Sequence, residues 1–167
     1  MSSRTGDRPT ARAVVLVAGA VVVYLLLDRG TLGFGYVPLL VGGSYLAAAV
    51  AGGRGGALWA PGCVVGGWGL ANAALMEPSF DPVLRGAESA AHMTGIGLGV
   101  LALAALERTG VRTSTTSVAL SVLLSGLIFL GQRAQGWELL NSPTGYAALL
   151  LVYAAAELVV VQVRRRR

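Results

Sequence analysis

Two pairs of side chains have the types and spacing to do chemistry. The first is Tyr153 and Glu157, near the end of an apolar run that closes in four arginines, Arg164, Arg165, Arg166 and Arg167. A spacing of four puts both on one helical stripe with Tyr146 and Leu150, so the phenol can hydrogen-bond the carboxylate. A charge at the centre of a bilayer costs about 2.5–3.5 kcal/mol, and such groups mark proton or cation pathways. Glu157 lies seven residues before Arg164, or about 10 Å at helical rise. That depth is intermediate, and it favours a carboxylate solvated near the interface, or paired with an arginine of the adjoining loops, over a transport site. The second pair is Glu88 and His92, again four apart, at the start of another apolar run. An imidazole beside a carboxylate suits a pH sensor or one arm of a metal site. With one histidine and one cysteine in the chain, a complete ligand set is missing, so an interfacial histidine is the expected reading and no metal or cofactor is expected.

The elements that must carry these residues are set by hydropathy. The chain has 167 residues, 54% hydrophobic and 13% charged, with a mean hydropathy of +0.68. A soluble domain has about 25% charged residues; this one has too few polar groups to cover its outside. Apolar runs recur at about 13–27, 35–51, 57–76, 90–106, 116–131 and 143–163, each near the ~20 residues needed to cross a bilayer. No two-residue alternation of a barrel is present, so the runs must be helices that satisfy their own backbones. The expectation is an all-α integral membrane protein, a bundle of about six transmembrane helices. Segment 1–12 reads as a basic tail, 82–93 as containing a short interfacial helix, and 164–167 as a basic tail at the other terminus. Ser142-Pro143 reads as an N-cap followed by proline at the first helical position.

Orientation follows from arginine, which supplies all 13 basic residues. If the N-terminus is inside, ten fall on that side (Arg4, Arg8, Arg12, Arg54, Arg108, Arg112, Arg164, Arg165, Arg166 and Arg167) and three on the other (Arg29, Arg85, Arg133). The positive-inside rule then places both termini in the cytoplasm of a cell with a plasma membrane. The four-arginine tail contributes most to that count and is the topology-setting group. The absence of lysine amid abundant Ala, Gly and Val suggests a GC-rich bacterial genome. The basic groups lie at the ends of apolar runs rather than on one face, so nucleic acid is not an expected partner; lipid, other membrane subunits or a second copy are.

Helix association in lipid relies on small residues that let backbones approach. The chain offers Gly62-xxx-Gly66, Gly95-xxx-Gly99, Ala47-xxx-Ala51 and Ser121-xxx-Ser125. Trp59, Tyr36, Trp137 and Tyr146 stand near span ends and suit an aromatic belt. No GxSxG, HExxH, P-loop or paired-carboxylate motif occurs, and nothing in the residues argues for an enzyme.

Residues 13–60 carry one resemblance. Leu25-Leu26-Leu27-Asp28, the glycine-rich turn 30–35 and Tyr36-Val37-Pro38-Leu39-Leu40 are similar to the helix end, turn and aromatic-x-Pro-Leu-Leu start of the LiaI/LiaF-like bacterial membrane region, and Trp59-Ala60-Pro61 repeats the aromatic-Pro start. That resemblance implies membrane protein interaction and envelope-stress signalling, without catalytic residues. The chain has more spans than that region and lacks the soluble C-terminal domain of many members. A non-enzymatic scaffold or accessory subunit is therefore the leading expectation. A small proton- or cation-coupled transporter using Glu157 is the alternative.

Overall fold

The structure is a computed structural model that describes residues 9–80, 86–133 and 142–165, with the side chains of 128–133, 143, 156, 157 and 160–165 left outside the description. Six α-helices make up the described chain: α1 Pro9–Asp28, α2 Val37–Gly52, α3 Trp59–Met76, α4 Glu88–Glu107, α5 Thr115–Arg133 and α6 Pro143–Arg165. Single 3₁₀ turns precede α2 and follow α3 (Phe34–Tyr36 and Pro78–Phe80), and there is no strand among the described residues.

Local chemistry sets the boundaries. α1 is helical from Pro9, the first described residue, four residues before the apolar run. Pro38 lies in the first turn of α2, where a missing N–H costs nothing. Ser142 caps α6 as its sequence suggests: the Gly145 N–H donates to Ser142 Oγ over 3.1 Å. Ser114 does the same for α5, accepting from Ser117 N–H at 3.1 Å. Residues 88–93, expected to lie in a separate interfacial helix, are the first turns of α4. At the far end α6 runs on past Val163, so that Arg164 and Arg165, expected in a tail, are its last residues. Arg166 and Arg167 lie outside the described residues.

The centre of the bundle is α3. It packs against α2, α4 and α5, while α1 packs between α2 and α6. Glycine makes these approaches possible. A Cβ on Gly42 of α2 would fall on Gly66 of α3, and one on Gly62 would meet Leu46 at 2.9 Å. On the other side, a Cβ at Gly67 would overlap the Gly95 carbonyl, and one at Gly99 would overlap that of Cys63. Both glycine pairs read from the sequence are thus helix contacts, and Ser121 and Ser125 are buried on α5. Ala47 instead is exposed; α2 turns Ala48, Ala49 and Gly52 inward.

The outside of the bundle is apolar. On α1 the buried stripe is Arg12, Leu16, Ala20 and Val23, and the exposed faces hold Val14, Val17 and Val21. Leu98 and Leu101 of α4 and Leu120 and Leu123 of α5 are equally exposed. Large aliphatic residues covering the exterior are a liability in water and the norm in hydrocarbon. Three stretches, Pro9–Asp28, Phe34–Gly52 and Glu88–Glu107, are long and apolar enough to cross a membrane among the described residues. α3 has suitable length but takes up glycine, tryptophan and asparagine in place of aliphatic bulk, because its neighbours rather than lipid cover it. The described apolar parts of α5 and α6, Thr115–Leu127 and Thr144–Ala155, are shorter.

Two ends of the bundle are chemically distinct. At one end the Arg112 N–H donates to Arg54 O over 2.9 Å, Ser117 Oγ reaches Ala57 O at 3.4 Å, and Arg12 lies against Gly52 and Gly56. At the other, Met76 fits against Gly35 and the Phe34 ring meets Tyr146 edge-on, centroids 5.6 Å apart.

Candidate functional site

The expected intramembrane pair resolves into one half. Tyr153 is on α6, half-buried, and its ring meets Tyr45 of α2 edge-to-face, with centroids 5.1 Å apart and planes at 62°. Tyr45 is itself 5% exposed. The side chain of Glu157 lies outside the described residues, as do those of the topology-setting arginines, Arg164, Arg165, Arg166 and Arg167. Tyr153 thus has a packing role that follows from its geometry: two phenol rings close the contact between α2 and α6, with Leu150 and Tyr146 buried on the same stripe.

His92 and Glu88 differ in burial. Glu88 is exposed in the first turn of α4, where a carboxylate interacts favourably with the helix dipole. His92 is half-buried, and its Nδ1 accepts a hydrogen bond of 3.2 Å from Nε1–H of Trp68 on α3. The two rings are edge-on, centroids 6.5 Å apart. Trp68 is 2% exposed, so its N–H has no access to water and requires an acceptor inside the protein. The bond fixes the neutral imidazole as the Nε2–H form. A histidine read as an interfacial group is therefore also the polar tie between two helices.

No group of three or more His, Cys, Asp or Glu comes together among the described residues. Cys63 is buried on α3 as a free thiol, in the glycine seam against α4.

Arg12, read from the sequence as part of a basic tail, is structural. It is 4% exposed, with its Cγ and Cδ so near Gly52 that an added Cβ there would sit 2.5–2.6 Å from them, and with Nη1 3.1 Å from a Cβ built on Gly56. Trp59 belongs to the same end. Its Nε1–H donates to Gly53 O at 3.0 Å, and its ring is buried rather than set in an aromatic belt. Tyr146 is buried too; Trp137 lies outside the described residues. The signal for Arg12 is present in the glycines at 52, 53, 55 and 56, which leave room for a long side chain; it needs α1 to be extended back to Pro9.

Two clefts remain. One of about 370 Å³ lies between α3 and α4, lined by Gly67, Ala71, Ala74, Ala91, Thr94 and Leu98. The other, about 330 Å³, lies between α1 and α6, lined by Ala20, Tyr24, Thr144 and Leu151 among others. Both are open sideways and almost wholly apolar. Neither contains Tyr153, His92 or a charged group. Comparison of the chain with protein-family models, curated proteins and solved structures returned no match.

Proposed function

We propose that this chain is a bacterial integral membrane protein that crosses the plasma membrane six times, with both termini in the cytoplasm, and serves as a non-enzymatic scaffold or accessory subunit through contacts between helices. The observation that carries this reading is where the polar groups go. Ser44 bonds back to Leu40 O, Ser121 to Ser117 O, Trp59 to Gly53 O and Trp68 to His92. Each is satisfied inside the protein, the two serines within their own helices, Trp59 at the turn before α3 and Trp68 across to α4, whereas these two clefts are apolar and face outward. Surfaces of that kind suit lipid chains or another apolar helix and offer nothing to a polar substrate.

The arginine-bearing end supports the orientation. Arg54, Arg108 and Arg112 are exposed there with Arg12 beneath them, and Asp28, Arg29 and Glu88 stand at the opposite end. Under the positive-inside rule the first end faces the cytoplasm.

The test is reconstitution of the full chain in liposomes. The expected result is no proton or cation flux above protein-free vesicles. Flux that Glu157→Gln abolishes would overturn the scaffold in favour of a coupled transporter. A C-terminal reporter active only on the outer face would overturn the orientation.

A further inference from the structure

We propose that the arginine-bearing end of the bundle holds the phosphate of an anionic phospholipid, seated between the 53–56 loop after α2 and the 108–114 loop after α4. This rests on the membrane reading given above. The two loops are joined by the Arg112 N–H···O=C Arg54 bond of 2.9 Å, so two exposed arginines spring from backbone positions bonded to each other. The fold therefore anchors two like charges on adjoining loops, an arrangement that an anion between them would relieve. The Arg54 guanidinium lies over the neighbouring loop, with Nη1 4.0 Å from where a Gly110 Cβ would be. Arg12 approaches the first loop from below, its Nη1 3.1 Å from a Cβ built on Gly56. Arg108 adds a third exposed guanidinium.

Between these cations the backbone is bare. Gly53 and Gly110 have φ of +91° and +92°, a conformation that L side chains rarely adopt, and space over Gly53 and Gly55 is open. The nearby acid, Glu107, is engaged: its Oε1 accepts from the Thr113 hydroxyl. A tetrahedral anion is the ligand that fits, because guanidinium forks match phosphate oxygens and the glycines leave room for it to approach, their own N–H groups at Gly53 and Gly110 being bonded to carbonyls of the preceding helices. A lipid headgroup is its source, because the apolar exterior of α1 and α4 leads acyl chains up to this end, and basic clusters at a membrane face attract anionic lipid.

The full chain in neutral detergent micelles is titrated with phosphatidylglycerol, phosphatidylcholine or inorganic phosphate, and its unfolding temperature is followed by tryptophan fluorescence. Phosphatidylglycerol is expected to raise the midpoint by about 3 °C and to saturate, and phosphatidylcholine and inorganic phosphate to leave it unchanged. Arg54→Gln and Arg112→Gln are each expected to remove at least half of that rise, and Arg29→Gln, at the other end, none. Both side chains are exposed, so the single variants keep their fold in phosphatidylcholine, which their midpoint there verifies. An undiminished rise in Arg54→Gln and Arg112→Gln overturns the site, and an equal rise with inorganic phosphate overturns the lipid as its source. Alkaline extraction separates the two readings. A chain released from bilayers loses the membrane assignment, whereas one that stays in bilayers and ignores phosphatidylglycerol loses only the site.

Discussion

The Trp68 indole N–H points at Nδ1 of His92 across 3.2 Å, and this bond ties α3 to α4 at a place where the backbones otherwise meet through glycine. Packing between bare backbones is strong in dispersion but says little about how far one helix has slid along the other. A directed bond between residues 24 apart in sequence fixes that register. Replacing His92 with alanine leaves the Trp68 N–H buried with no acceptor in that position, at about 1–3 kcal/mol. Trp68→Phe in the His92→Ala background is expected to recover part of the loss. Unfolding in mild detergent measures each, and simple additivity of the two substitutions would show that the bond carries no energy.

The glycine seam gives a sharper contrast. Gly67→Ala and Gly99→Ala each drive a methyl onto a carbonyl oxygen of the facing helix, and the helices have to separate, at about 1–3 kcal/mol. Gly97, on the same helix as Gly99, has nothing within 4 Å of its would-be Cβ. Gly97→Ala is expected to be neutral or to stabilise by up to about 1 kcal/mol through helix propensity alone. Measuring all three by unfolding separates packing from propensity.

Much of the bundle is legible in the sequence because bilayer length, proline placement and small-residue spacing are local signals. Six helices, the Ser142 cap and the Gly95-xxx-Gly99 seam are all open to that kind of reading. Partners across the bundle are not. Nothing near His92 in the sequence names Trp68, and nothing near Tyr153 names Tyr45, because both pairs depend on which helices become neighbours. The central place of α3 is hidden for the same reason: its glycines lower its hydropathy, and only its neighbours explain why. Ala47-xxx-Ala51 shows the converse, a small-residue pattern that a composition rich in alanine produces where Ala47 is exposed and Ala51 only half-buried.

Cys63 allows an unmodified protein to report on the seam. The thiol is buried at the α3–α4 contact and is the chain's single cysteine. In the folded bundle a maleimide is expected to react at least tenfold more slowly than in denaturant, since a structural buried thiol is shielded from reagents. In Gly99→Ala, which pushes against the Cys63 carbonyl, labelling in the folded state is expected to accelerate. Equal rates in wild type with and without denaturant would place the thiol on the surface and contradict the seam.

The Tyr45–Tyr153 contact decides whether α6 is held by aromatic packing or by something at Glu157. An edge-to-face pair contributes about 0.5–1.5 kcal/mol beyond its buried area, and the hydroxyls are incidental to that geometry. Tyr153→Phe is therefore expected to change stability by less than about 0.5 kcal/mol, the range of substitutions that touch no such feature. Tyr153→Ala is expected to lose several times that, non-additively with Tyr45→Ala. If Tyr153→Phe instead costs as much as Tyr153→Ala, the hydroxyl is the working part of the residue. A polar partner such as the Glu157 carboxylate then has to be supplied, and Glu157→Gln in the Tyr153→Phe background, which should add nothing further, identifies it.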